Sequence, residues 1–254
     1  MIKPDRVIAL RSDRTVYQHG NLCGKVFSRA YACVDVLQEA RNLAAAWEAG
    51  TNVPRFIELT RVDDRWALVT EYVPGETLAQ RMASGQNSDS GCLRTLVEAQ
   101  LRVQSVRAER FAPIRDVLRQ EIAGTPLAES VRRALLERLE RLEDGAALCH
   151  GDLGPDNLIL SERGAPVVVD WDRACRGSAD ADAAATWLSL ALEQGRETAE
   201  RYLELYIASA YSLRGDILRW LPLMAASRLR GSVRREKDMY MRIIGQTMKD
   251  GNSL

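Results

Sequence analysis

Cys149-His150-Gly151-Asp152-Leu153-Gly154-Pro155-Asp156-Asn157-Leu158-Ile159-Leu160, followed by Val167-Val168-Val169-Asp170-Trp171-Asp172, decides the reading of this chain. Apolar Ala146 to Cys149, Leu158 to Leu160 and Val167 to Val169 predict short buried strands, so the polar residues between them fall on strand ends and tight turns. Gly151, Gly154 and Pro155 keep the loop compact, which lets Asp152 and Asn157 point into the same cleft as Asp170. A carboxylate at Asp152 can orient a hydroxyl and take its proton. The Asn157 amide oxygen and the Asp170 carboxylate are hard oxygen donors of the kind magnesium takes, and magnesium keeps enough water and phosphate ligands for two protein donors to suffice.

Those are the groups that phosphoryl transfer requires. His-x-Asp, then four residues, Asn, and an apolar strand ending in Asp is the catalytic-loop pattern of kinases with its metal-binding aspartate. A single Asp or Asn in a Gly/Pro turn is ordinarily a turn former, and it is the joint spacing that overrides that reading. His150 is read as a structural hydrogen-bonding residue rather than a general base. The Asp170-Trp171-Asp172 run also fits short motifs of haloacid dehalogenase phosphatases and of Asp-x-Asp glycosyltransferases. The phosphatase motif, however, stands near the start of its chain and ends in Thr or Val, whereas this one is late and has Ala174 in that place.

A kinase centre implies a second constellation upstream. Thr15 to Gln18 and Cys23 to Phe27 flank His19-Gly20-Asn21, which predicts a hairpin with Lys25 on its second strand. A helix follows from about Val34 to Ala49, with Val36, Leu37, Leu43, Ala44 and Trp47 as its apolar side and Glu39 within it. Lys25 and Glu39 are expected to form the ion pair in which the lysine holds the α and β phosphates and the glutamate positions the lysine. Trp66 to Thr70 predicts another strand, and Glu71-Tyr72-Val73-Pro74-Gly75 reads as an interlobe hinge whose backbone at Glu71 and Val73 meets adenine. Ile159, two residues after Asn157, is the expected apolar floor under the base.

On these residues the chain resembles the aminoglycoside phosphotransferase/choline kinase type family of the protein-kinase-like fold. The resemblance covers nearly the whole chain. It implies an α+β bilobal fold with a small antiparallel-sheet N-lobe, 1–73, and a larger, mainly helical C-lobe, 74–254. It also implies Asp152 as catalytic base, Asn157 and Asp170 as Mg2+ ligands, Lys25 on the phosphates of ATP or GTP with Glu39 as its partner, and Asp182 as a brace of the catalytic loop.

Three departures from serine/threonine kinases sharpen the expectation. Gly154 stands where those enzymes place a lysine, two residues after the catalytic aspartate. An Ala-rich helix begins by about Asp182 and leaves no room for a peptide-binding activation segment, so the acceptor is expected to be a small-molecule hydroxyl. The nucleotide loop, Arg11-Ser12-Asp13-Arg14 between the strand Val7 to Leu10 and the strand from Thr15, contains no glycine. That loop motivates the alternative of a catalytically inactive nucleotide-binding pseudokinase scaffold.

Length and composition agree. The 254 residues are 46% hydrophobic, enough for two lobes. Lysine plus arginine, 35, equals aspartate plus glutamate, 35, which argues against a nucleic-acid partner held by phosphate neutralisation. Five scattered cysteines without metal-ligand spacing fit a reducing cytoplasm, and no apolar run reaches the roughly 20 residues of a membrane span. The amino terminus lacks an apolar signal region, so a soluble, unprocessed protein is expected. Gly85 to Gly91 reads as a flexible loop, and Thr125-Pro126 as the start of a helix running to about Gly145. After Asp182, helices are expected with breaks near Gly195, Gly215 and Gly231. Glu193, Glu197, Glu200 and Glu204 are candidate carboxylates for a cationic acceptor, with a solvated face as the default reading.

Overall fold

The computed structural model describes residues 5–11, 13–85, 89–230 and 232–250. Its elements run β1 (Arg6–Leu10), β2 (Arg14–His19), β3 (Leu22–Phe27), α1 (Cys33–Glu48), β4 (Phe56–Val62), β5 (Arg65–Glu71), β6 (Gly75–Thr77), α2 (Leu78–Ser84), α3 (Asp89–Gln104), α4 (Ile114–Ala123) and α5 (Glu129–Arg141). Then follow β7 (Ala147–Cys149), a 3₁₀ turn (Pro155–Asn157), β8 (Leu158–Ser161), β9 (Val167–Val168), β10 (Cys175–Gly177), α6 (Ala179–Glu193), α7 (Arg196–Ala210), α8 (Arg214–Ser227) and α9 (Arg234–Asp250). An antiparallel sheet region is thus followed by a helical region, the α+β class expected from the sequence.

By their contacts the residues group into two compact units, 1–87 with 155–173, and 88–154 with 174–254. The first unit holds a five-stranded antiparallel sheet in the order β1-β2-β3-β5-β4. The β2–β3 turn is Gly20-Asn21, with His19 opposite Leu22 and Gly20 at φ 58, a value that glycine adopts without steric cost. Residues 155–173 join this unit because β6 pairs with β8 and β8 with β9, linking segments far apart in sequence.

Helix α1 packs on β4 and β5, burying Val36 and Ala40 against Phe27 and Leu68. Its inner face differs from the apolar side read from the sequence. Glu39 and Asn42 are buried, whereas Leu37 is 50% and Trp47 54% exposed. The inner face is selected by the partners that await these two polar side chains, which hydropathy does not register.

In the second unit, α6 packs against α7 and α8, α3 against α7 and β7, and α8 against α9 and α4. Ten consecutive residues of α6, Ala181 to Leu190, are buried, as expected of a helix enclosed on every side. Its first turn is closed by Ser178, whose hydroxyl accepts the Asp180 N–H at 3.2 Å.

Several boundaries differ from the expectations. Ser90 and Gly91 lie inside α3 rather than in a loop, while Gln86 to Ser88 are outside the described residues. Helix α5 begins at Glu129 and ends at Arg141. Thr125 does not cap it, because its hydroxyl donates to the Ile122 carbonyl at 2.7 Å and closes the preceding helix instead. Gly195 does precede α7, at φ 90. Gly215 lies in the first turn of α8, the break falling at Tyr211 in the left-handed conformation, and Gly231 is outside the described residues. Among the described residues no helix is long and apolar enough to cross a membrane.

Candidate active site

Within the first unit four charged side chains converge. Lys25, on β3 between Val16 and Leu68 of the flanking strands, donates from Nζ to Glu39 Oε1 at 2.7 Å, Glu39 Oε2 at 2.9 Å and Asp170 Oδ1 at 2.5 Å. Arg14, at the start of β2, donates to Asp170 Oδ2 at 2.9 Å. All four side chains are at most 23% exposed. Burial opposes the charge on Lys25, yet Asp170 and Glu39 more than offset it and hold its pKa above the ordinary value. Burial pushes the Glu39 carboxyl up, to about 7, against the pull of Lys25. Arg14 is likewise held charged against burial, by Asp170, Asp172 and Asp13.

The backbone around Asp170 is tightly held. The Val169 N–H donates to the Asn157 carbonyl at 3.0 Å, and the Val168 N–H to the Asn52 carbonyl at 3.0 Å. Buried Trp171 donates its indole N–H to the Val168 carbonyl at 3.0 Å, and Asn42 Nδ2 donates to the Trp171 carbonyl at 2.9 Å. Helix α1 therefore serves the site twice from one face, through Glu39 and, three residues on, through Asn42. Asp170 itself has φ 68, a left-handed conformation that costs a non-glycine residue on the order of 1–3 kcal/mol and persists only where the surroundings impose it.

The candidate magnesium ligands Asn157 and Asp170 are thus linked through one backbone hydrogen bond between Asn157 and Val169. Their donor atoms, an amide oxygen and a carboxylate, suit a hard cation. Among the described residues no group of three or more His, Cys, Asp or Glu could hold a metal by itself. A pair of oxygen donors fits a cation that completes its shell with water and phosphate oxygens.

Glu71 and Val73 stand at the end of β5 and just past it. The Glu71 N–H donates to the Arg55 carbonyl at 3.0 Å and the Tyr72 N–H to the Asn21 carbonyl at 2.8 Å. Ile159 on β8 is half-buried, paired with Thr77 and Val167. At the glycine-free loop, the Asp13 carboxylate accepts the Tyr31 hydroxyl at 2.7 Å, and Arg11 pairs with Asp156 at 3.1 Å. Ser12 lies outside the described residues.

Asp152 belongs to the second unit. The loop turns at Gly151, φ 80, and the Asp152 N–H donates to Nδ1 of fully buried His150 at 3.3 Å, a structural use of the imidazole. The Gly151 N–H donates to Asp182 Oδ1 at 2.8 Å, so the expected brace is in contact with the loop. Asp182 Oδ2 accepts from Gln100 and Gln104, each at 2.9 Å. Those two amides accept in turn the Tyr202 and Tyr206 hydroxyls. Burial pushes both phenols up, keeping them neutral donors. Gln100 and Gln104 on α3, and Tyr202 and Tyr206 on α7, are pairs at i,i+4 spacing, so each helix presents one polar stripe to Asp182 of α6.

Asp152 Oδ1 accepts from the Ser189 hydroxyl at 2.9 Å and from Arg228 at 2.9 Å. Neither residue was legible as part of a site, because a serine in an Ala/Leu-rich helix and one arginine among many carry no local signal. The same holds for Arg14. Asn42 could have been found, since it lies three residues after Glu39 on the same helical face. Of the candidate carboxylates, Glu197 pairs with Arg201 at 2.6 Å and Glu200 with Arg214 at 2.5 Å. Glu193 comes close to the loop that carries Asp152, with Oε2 3.5 Å from where a Cβ on Gly154 would stand.

A profile of the phosphotransferase enzyme family matches residues 6–218. The aminoglycoside 3'-phosphotransferase of Streptomyces fradiae is 28% identical over 217 residues, 73% of this chain and 78% of that protein. Among solved structures, aminoglycoside-3'-phosphotransferase of type VIII matches with TM-score 0.62 and 23% identity over 88% of this chain and 92% of that one. A thermostable mutant of aminoglycoside phosphotransferase APH(4)-Ia, in ternary complex with AMP-PNP and hygromycin B, matches with TM-score 0.71 and 13% identity over 97% and 93%. Choline kinase LicA from Streptococcus pneumoniae matches with TM-score 0.62 and 17% identity over 96% and 93%. At these identities the structures establish a shared protein-kinase-like fold.

Proposed function

The chain belongs to the phosphotransferase enzyme family, and on that premise we propose that it is an ATP- and magnesium-dependent kinase transferring the γ-phosphoryl group to a hydroxyl of a small molecule. The observation that carries this reading is the buried cluster in which Lys25 is held at once by Glu39 and Asp170. Such a lysine has its ammonium fixed where an anionic ligand can share it, and phosphates are ligands of that kind.

In this reading Lys25 meets the α and β phosphates and Glu39 keeps it in place. The Glu71 carbonyl and the Val73 N–H meet the adenine edge, since the N–H groups of Glu71 and Tyr72 are already donated within the fold. Ile159 lies under the base. Asn157 and Asp170 hold the magnesium, which when bound neutralises charge on the phosphates. Asp152 orients the acceptor hydroxyl and takes its proton as the new oxygen–phosphorus bond forms. The acceptor is a small hydroxyl compound, in keeping with relatives named for aminoglycosides and choline. A cytoplasmic location is part of the same proposal, in keeping with five cysteines of which none is joined in a disulfide.

The test is a magnesium-dependent thermal-shift titration with ATP and with GTP, followed by transfer assays on aminoglycosides, amino alcohols and sugars. A shift with transfer to one acceptor, abolished in Asp152→Ala and Asp170→Ala, supports the kinase. The glycine-free loop and the engagement of Asp170 by Arg14 favour a second reading, an inactive nucleotide-binding scaffold. Binding of nucleotide with no transfer to any acceptor would select it.

A further inference from the structure

We infer that Arg228 is a positioning residue for Asp152, supplying from the end of α8 the cation that the catalytic loop itself lacks at Gly154. The inference rests on the kinase reading above. Arg228 follows Ser227, the last residue of α8, and its side chain is 7% exposed. Its guanidinium spans main chain and side chain of the loop, donating to the Gly151 carbonyl at 2.8 Å and to Asp152 Oδ1 at 2.9 Å. The other terminal nitrogen donates to the Ser189 hydroxyl at 3.1 Å, and that hydroxyl donates to the same Oδ1 at 2.9 Å.

The burial of the pair is asymmetric. The Asp152 side chain is 38% exposed against 7% for Arg228. An ion pair serving only the core would enclose both partners, because a buried guanidinium gains most from an equally buried carboxylate. Here the arginine is enclosed and the carboxylate faces outward, with two donors converging on one oxygen and a third bond fixing the adjacent carbonyl. That arrangement fixes the rotation of the carboxyl group while keeping its face accessible. Pre-orientation of this kind is what a group meeting an incoming hydroxyl needs, and small misplacements are costly in rate.

In the step served, the acceptor oxygen forms a bond to the γ-phosphorus and the bond from that phosphorus to the oxygen leaving with ADP breaks. The acceptor proton passes to Asp152. Arg228 touches none of the reacting atoms and acts only by holding Asp152. Ser189 relays the same constraint from α6, which is why the guanidinium, with several donors in a fixed fork, suits the position better than an ammonium.

The experiment compares wild type with Arg228→Lys, Arg228→Met and Ser189→Ala in transfer to an acceptor found on the panel, or to water, alongside the ATP dissociation constant in magnesium and the urea midpoint. Arg228→Met is expected to lower kcat on the order of 100-fold. Arg228→Lys, which keeps the buried charge but loses the fork, lowers it on the order of tenfold, and Ser189→Ala by a smaller factor. The ATP dissociation constant stays within about twofold throughout, because uniform binding is untouched. Wild-type kcat in folded Arg228→Lys or Arg228→Met, or a loss confined to nucleotide binding, overturns the inference and leaves the kinase standing. If Arg228→Met does not fold, Arg228→Lys decides. A wild-type protein that transfers to no acceptor and hydrolyses no ATP overturns the kinase reading and the inference together.

Discussion

The Arg14 guanidinium donates to Asp170 Oδ2 at 2.9 Å, while Lys25 takes the other oxygen of the same carboxylate at 2.5 Å. A loop that carries no glycine thus sets a side-chain cation, in place of closely approaching backbone amides, against the carboxylate proposed to bind magnesium. Arg14 and the metal then compete for Asp170.

Replacing Arg14 by Gln is therefore expected to lower the magnesium concentration giving half-maximal stabilisation by ATP. The change should be on the order of threefold to tenfold, the worth of a partly buried ion pair. Thermal shift read against magnesium at fixed ATP checks this without any acceptor. A rise in the half-maximal concentration would instead place Arg14 on the phosphates.

Glu39 should leave a pH signature on stability. Burial raises its carboxyl from 4.5 to about 7 in the fold, against the pull of Lys25. Between those values the folded protein binds a proton that the unfolded chain has released, so this group's contribution to stability falls as pH rises. From pH 5 to pH 8 the wild type should lose on the order of 1–3 kcal/mol relative to Glu39→Gln, which does not titrate. Urea unfolding of both proteins across that range measures it, and parallel pH profiles would contradict it.

Asp152→Asn is expected to destabilise the fold as well as stop transfer, because it leaves the guanidinium of Arg228 buried without its counter-charge. The half-open setting of the carboxylate limits the loss to about 1–3 kcal/mol. Adding Arg228→Met should recover at least half of the lost urea midpoint. Independent, additive losses in the double variant would show that the pair carries no coupling.

Asp182→Asn should destabilise by about 2–4 kcal/mol, since one of the two oxygens that now accept from Gly151 or from Gln100 and Gln104 becomes an amide nitrogen that can only donate. A urea midpoint within error of wild type would contradict this reading of the network.

Some of this protein is legible along the chain. The alternation that marks the strands, the Gly20-Asn21 turn and the spacing of Asp152, Asn157 and Asp170 are local, and local rules of backbone conformation and hydropathy are enough to read them. The Lys25 to Glu39 pair is local too, a strand and the next helix, and the ion pair forms between them.

Tertiary structure alone decided which face of α1 turns inward, with Glu39 and Asn42 buried and Trp47 outside. It also decided that Thr125 closes one helix rather than opening the next, and that Arg14 and Arg228 settle on the carboxylates of Asp170 and Asp152. These contacts join residues as much as 156 positions apart. An arginine reads the same in sequence whether solvated or buried. Its role is set by which carboxylate the fold brings within 3 Å and how much water it removes from around the pair.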